Sequence, residues 1–261
     1  MTLKYWKINP IKKSFHRNFI RIISREHQQS DILSVLPGEW LELGFIINSL
    51  IHLKKMRGGG ITLRFGDKNL TSAEIPELYV NIQEPDGTGI VRTTFVEGKD
   101  CPRTQVDIAG IRATAEKGNT VIGITHNSRN SDQLAFMRRQ AKKGCSFCDL
   151  KKMRSVSVKE GYHWLIKPNN WPYLHHSVHL IFIYKDSHSK DNNIADIVPT
   201  AWEEMGLLLQ WAIRKYNIFG GALVLRFLDY HLNGCTMRHL HWQLQAPDGT
   251  GPARAWFCKS Q

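Results

Sequence analysis

The sequence predicts an α+β fold made of two tandem units, each an antiparallel sheet with a packed helix. Three observations predict it. First, the chain repeats itself. A shift of 162 positions lays residues 37–95 on 199–257 without a gap, and about a third of the aligned positions are identical. Pro37, Trp40, Glu42 and Gly44 fall on Pro199, Trp202, Glu204 and Gly206, and Leu63-Arg64-Phe65 falls on Leu225-Arg226-Phe227. Second, helical periodicity gives way to β-branched or aliphatic runs in both copies. Third, each copy carries Pro-Asp-Gly-Thr-Gly, at 85–89 and 247–251, a cluster of turn-forming residues.

Taken in order, a first apolar strand ends near Ser24 in one copy and Tyr184 in the other. A helix follows, with Trp40, Leu43, Ile47, Leu50 and Ile51 on one face at helical spacing. Its counterpart runs from about Pro199 to Tyr216. The pairs Gly58-Gly59 and Gly220-Gly221 are read as helix stops. Strands over Ile61–Phe65 and Ala222–Phe227 come next. A polar loop then leads to the last strands, Leu78–Gln83 and His239–Gln245. Between the copies, Thr120–Ile124 is read as a strand, Ser131–Lys142 as a helix and 128–131 as a loop with a helix cap. The expected organisation is a first unit over 1–99, a connecting segment over 100–140 and a second unit over 141–261.

Composition bounds the function classes. The hydrophobic share of 42% and charged share of 22% are ordinary for a globular chain of 261 residues. No apolar run is long enough to span a bilayer, and Met1-Thr-Leu-Lys-Tyr-Trp-Lys7 lacks the apolar centre of a secretory signal. A cytoplasmic location with no membrane partner is expected. The formal net charge of +12 favours anionic partners such as nucleotides, sugar phosphates or nucleic acid.

The stretch His239-Leu-His241-Trp-Gln243 concentrates chemistry. Side chains alternate along a strand, so His239, His241 and Gln243 share one face while Leu240, Trp242 and Leu244 share the other. Imidazole is nucleophilic near neutral pH, and an amide can donate to a phosphoryl oxygen without being titrated. The matching positions of the first copy are Glu77, Tyr79 and Asn81. That copy keeps the scaffold without the imidazoles and is expected to be catalytically silent.

Cys145-Ser-Phe-Cys148 is the second concentration. Five cysteines, two of them at this spacing, favour metal over disulfides in a reducing compartment. Two thiolates can chelate zinc at one corner of a tetrahedron and need two further ligands. His163, His175, His176, His179, His188, His231, His239 and His241 are all candidates, and spacing does not choose among them. Arg64 and Arg226 are read first as ion-pair partners of Asp67 and Asp229, and Trp40 and Trp202 as core.

Gly234-Cys-Thr-Met-Arg-His-Leu-His-Trp-Gln243 resembles the Gly-Cys-Ser-Asn-Pro-His-Pro-His-Gly-Gln signature of the galactose-1-phosphate uridylyltransferase branch of the histidine triad superfamily. The Cys145-x-x-Cys148 pair and His188-Ser-Lys190 resemble that branch's zinc-binding elements. Two related halves match its architecture, although the family's active half comes first and the signature here lies in the second. By this resemblance both units are histidine-triad-like, the first of them degenerate. Cys145, Cys148, His188 and His239 would bind a structural zinc. His241 would be the nucleophile, Gln243 would hold the α-phosphate, and Thr236 would assist. The implied activity is nucleotidyl transfer or phosphorolysis on a nucleoside diphosphate compound through a nucleotidyl-histidine. A nucleotide or nucleotide sugar is the expected substrate, and the oligomeric state, with a homodimer one option, is left open. The alternatives are an aprataxin-like hydrolase of nucleotides or nucleic-acid ends and a non-enzymatic zinc-stabilised nucleotide or RNA binder. Leu240 and Trp242 replace the family's proline and glycine.

Overall fold

The computed structural model describes residues 3–97, 131–143, 145–186 and 193–258. The expected strand at Thr120–Ile124 and the loop over 128–130 lie outside the described residues, as does His188. The strands are β1 (Trp6–Pro10), β2 (His16–Gln28), β3 (Gly58–Gly66), β4 (Glu77–Pro85), β5 (Val91–Val96), β6 (Lys159–Glu160), β7 (Trp164–Pro168), β8 (His176–Tyr184), β9 (Gly220–Leu228), β10 (His241–Pro247) and β11 (Ala253–Cys258). The helices are α1 (Pro37–Leu53), α2 (Ser131–Lys143), α3 (Leu150–Ser155), α4 (Pro199–Tyr216) and α5 (Tyr230–Asn233).

Nine strands form one sheet in the order β1-β2-β4-β3-β9-β10-β8-β7-β6, and β5 and β11 form a separate ribbon. Every pairing is antiparallel. The α+β class is therefore as the sequence predicts. The alternating faces of β3, β9 and β10 decide what lies on each side. Ile61, Leu63, Leu223, Leu225, Trp242 and Leu244 join a core with Trp40, Ile47, Trp202 and Leu209 of α1 and α4. On the opposite face Ala222 and Val224 are covered by Phe95 and Phe257 of the ribbon. Further out on that face, Leu165, Ile181 and Ile183 meet Met137 of α2, Met153 of α3 and Phe147 of the turn before it.

The middle of the sheet is built about a local two-fold. β3 and β9 pair so that Thr62 lies opposite Val224, its own counterpart at the 162-residue shift. The same relation recurs in the helices. A Cβ on Gly44 would overlap the Trp202 ring, and a Cβ on Gly206 would overlap the Trp40 ring. Each tryptophan fills the notch its counterpart's glycine leaves, so α1 and α4 approach closely. Asp67 N–H donates to the Phe219 carbonyl at 3.0 Å, and Asp229 N–H donates to the Arg57 carbonyl at 3.1 Å. Those two bonds are also related by the shift.

Two expectations are corrected. The glycine pairs do not stop the helices. They open β3 and β9, where a Cβ on Gly59 or Gly221 would strike the neighbouring strand's carbonyl at Gln83 or Gln245. The helices end earlier, α4 at left-handed Asn217 (φ 50°) and α1 before left-handed Lys55 (φ 48°). The last strand starts at His241, so His239 sits in the turn ahead of it. Both Pro-Asp-Gly-Thr-Gly segments do form turns. Asp86 Oδ1 accepts from Thr88 N–H, and Asp248 Oδ1 from Thr250 N–H, both at 2.8 Å. Among the described residues, no helix is long and apolar enough to cross a membrane.

Candidate active site and metal centre

β10 lies between β8 and β9, which holds His241 opposite Ile183 and Gln243 between Ile181 and Val224. Leu240 and Trp242 anchor one side of this segment in the helix-covered core. His241 and Gln243 are thereby turned to the other face, as strand alternation requires.

The turn before the strand carries the metal-type cluster. Cys145 Sγ, Cys148 Sγ and a ring nitrogen of His239 all lie within 4.8 Å of one another. His239 Nε2 donates to the Tyr184 carbonyl at 2.7 Å, which fixes the proton there and leaves Nδ1 with its lone pair. Nδ1 faces both sulfurs, 3.5 Å from Cys145 and 3.4 Å from Cys148. Bonds of about 2.3 Å to sulfur and 2.05 Å to nitrogen, at tetrahedral angles, give an S···N edge of about 3.5 Å. These residues therefore fit a zinc-type ion as three of four ligands. Burial and the adjacent Cys145 push the Cys148 thiol up to about 12, so two neighbouring thiolates need a cation between them. The expected fourth ligand, His188, is outside the described residues. His163 serves elsewhere, between Asp186 at 3.1 Å and Thr200 at 2.9 Å.

His241 is oriented by its own chain. Its Nδ1 donates to the His239 carbonyl at 2.7 Å, leaving Nε2 as the free lone pair. Burial pushes its pKa down to about 4, and Arg226 and Lys167 push the same way. The ring is thus neutral at neutral pH. Gln243 Nε2 lies 3.4 Å from His241 Nε2, and Gln243 Oε1 lies 3.4 Å from His179 Nε2. Phe147, within the Cys145-x-x-Cys148 turn, packs edge-on to both His239 and His241, with centroids 5.7 and 5.5 Å away. One turn therefore supplies the sulfurs and a wall for the His241 imidazole.

His241, Gln243 and Thr236 line a cavity of about 100 Å³, so the structure brings together the three residues expected to act on phosphate. Its other walls include Phe136 and Met137 of α2, Trp171, Lys167 and Asn170. Phe136 and Trp171 are in ring contact at 4.6 Å. Sequence reasoning missed these residues. The only cue was the polar and aromatic run Asn169-Asn-Trp171 directly after an apolar strand. The Arg–Asp ion pairs do not form. Asp67 and Asp229 cap local turns instead, and Arg64 and Arg226 lie over Phe95 and Phe257 at 5.5 and 5.6 Å.

The matching face of the N-terminal half is filled. Arg21 lies 4.5 Å over the Tyr79 ring, donates through Nε to Asn81 Oδ1 at 3.0 Å and pairs with Glu74. Tyr79 and Asn81 are both buried.

No family model matches the sequence, and neither does any curated protein. Solved structures do. A uridylyltransferase structure aligns over 95% of this chain and 75% of its own at 10% identity and a TM-score of 0.55. A uridylyltransferase mutant aligns over 95% and 78% at 13% identity and 0.55. An Arabidopsis thaliana ADP-glucose phosphorylase, solved with bound ADP-glucose, aligns over 93% and 72% at 10% identity and 0.53. The fold is therefore the one seen in these uridylyltransferase and phosphorylase structures. Within a uridylyltransferase fold, the signature strand lies one place from the centre of the sheet, and the cysteine pair approaches it from the face opposite the long helices.

Proposed function

We propose that the chain is a nucleotidyl transferase or phosphorylase acting on a nucleoside diphosphate compound, a nucleotide sugar or a dinucleoside polyphosphate. One observation carries this reading. His241 is a buried, neutral imidazole whose Nδ1 is locked by a carbonyl and whose Nε2 stands beside the Gln243 amide at a cavity. The similarity to structures named for uridylyl transfer and nucleotide-sugar phosphorolysis supports it.

The chemistry is a double displacement. His241 Nε2 attacks the α-phosphorus, a P–N bond forms and the P–O bond to the leaving phosphate breaks. An oxygen of a second phosphate then attacks phosphorus and the P–N bond breaks, returning the electron pair to Nε2. Two easier steps replace one hard one. Charge on the phosphoryl oxygens is met by the Gln243 amide and, at the strand's entry, by Thr236. The amide cannot protonate a poor leaving group, which favours phosphate acceptors over water. Cys145, Cys148 and His239, with His188 as the fourth ligand, would hold a zinc whose contribution is to fix the turn that carries His241.

The repeat belongs to the same reading. Residues 1–99 form a degenerate unit and 141–261 the working one, joined by 100–140. The shift-related seam, the tryptophan–glycine exchange and the paired backbone bonds support duplication. The assembly, monomer or homodimer, is read by light scattering.

The test is covalent trapping. Incubation with an α-labelled nucleotide sugar or dinucleoside polyphosphate should label the wild type through an acid-labile, alkali-stable bond, and His241→Ala should not be labelled. Label on another residue rejects the mechanism. No label with any substrate leaves the nucleotide or RNA binder as the better reading.

A further inference from the structure

Among the described residues, the two cations flanking His241 have no carboxylate to answer them, and this deepens the reading of the site as nucleotide-binding. Lys167 is buried on β7, opposite Ile181, which lies opposite Gln243. Its Nζ donates to two neutral acceptors, the Pro168 carbonyl at 2.5 Å and Asn170 Oδ1 at 2.9 Å. Arg226 is buried on β9. Leu225 pairs with Trp242, so the next position along faces His241, and alternation puts Arg226 on His241's side of the sheet. Its Nη2 donates to the Trp256 carbonyl at 3.3 Å, and its Nε is buried without a partner.

Two other buried arginines of the described chain do have a carboxylate. Arg21 has Glu74, and Arg254 has Glu97 at 3.8 Å. Arg64, the counterpart of Arg226, shares the unpartnered Nε and has no carboxylate among the described residues, but its Nη1 donates to two carbonyls, of Thr71 and Ser72. At the shifted positions stand Asn233 and Gly234, and Arg226 makes neither bond. Among the described residues lining the cavity are Lys152 and Lys167 and no acid. A desolvated charge without a counter-charge is costly, and a bound anion removes the cost.

We propose that Arg226 and Lys167 serve the phosphates of the substrate from opposite sides of the His241–Gln243 row. Arg226 does not itself line the cavity, so it acts through its charge on the phosphoryl group facing His241, from the neighbouring strand. Lys167, two strands across and with a side chain about one strand spacing long, serves the adjoining phosphate.

Calorimetric titration with uridine, UMP, UDP, the adenosine series and inorganic pyrophosphate tests this. Lys167→Met should weaken UDP or ADP and pyrophosphate by about tenfold or more, as expected for one lost charged contact. Nucleoside binding should stay within about twofold, and Lys167→Arg should recover most of the loss. Arg226→Lys should keep most of the diphosphate affinity, and Arg226→Met should lose it. If Arg226→Met does not fold, the Lys167 series decides. Equal losses for nucleoside and diphosphate would overturn the proposal, because Lys167 would then be reading base or sugar. Absence of diphosphate and pyrophosphate binding to the wild type would overturn it too. Lys167-dependent pyrophosphate binding without label on His241 would retain the anion site and reject the transferase reading. Label on His241 with unchanged binding in Lys167→Met would do the reverse.

Discussion

The two faces related by the 162-residue shift share a frame and differ in what fills it. In the C-terminal half, His241 and Gln243 open onto a cavity. In the N-terminal half, Tyr79 and Asn81 take the same places, and Arg21 closes over them with Glu74. A strand position on this sheet does not make a site. What does is a backbone carbonyl that orients an imidazole, a loop that supplies a wall, and no side chain crossing the opening. Arg21 does the crossing in one half. In the other, its neighbourhood is taken by Phe147, Phe136 and Trp171, which leave space between them.

The sharpest way to break this contrast is His241→Ala. It should remove covalent labelling, a fall of about 10³ or more, while circular dichroism and metal content stay unchanged. Loss of metal comes next. His239→Ala should lower zinc in elemental analysis from about one per chain, and should lower the melting temperature by roughly 5 °C or more. A metal-free protein of full stability would remove zinc from the account.

Gln243→Ala should slow transfer by about 10²–10³ with little change in melting, the loss typical of one transition-state donor. Its counterpart sharpens the comparison from the other side. Asn81→Ala should leave labelling within about twofold and cost roughly 1 kcal/mol of stability, because Arg21 Nε loses its acceptor. Labelling lost as completely as in His241→Ala would mean that the N-terminal half takes part in the chemistry. Between these in stability, Gly206→Ala should cost about 1–3 kcal/mol by denaturant titration, since the new Cβ meets the Trp40 ring.

Much of this was legible in the sequence. The helix Pro199–Tyr216 has the bounds its periodicity and N-terminal proline imply. The α1 face of Trp40, Leu43 and Ile47 is buried as its spacing requires. The cysteine pair and His239 meet, and His241, Gln243 and Thr236 share a cavity. What stayed hidden depends on contacts across the sheet. The glycine pairs look like helix stops locally, yet the neighbouring strand's carbonyls are what exclude a Cβ there. Lys167, Asn170 and Trp171 are unremarkable as a string. They become cavity walls only because β7 lies two strands from β10. Arg226 sits three residues before Asp229 in the sequence, but Asp229 caps the local turn at His231 and the two form no ion pair.

The β3–β9 seam has a further consequence. Its register is self-complementary, Thr62 opposite Val224 and Gly58 opposite Leu228, as in an edge-to-edge contact between identical subunits. A single ancestral unit could have closed its exposed edge strand on another copy of itself, satisfying the unpaired backbone groups that make such edges sticky. On the proposed duplication, fusion into one polypeptide would make that closure permanent and independent of concentration, and would release one unit from having to keep a pocket. The closed-over Tyr79 face is the mark expected of that freedom, and the seam runs through the middle of the sheet.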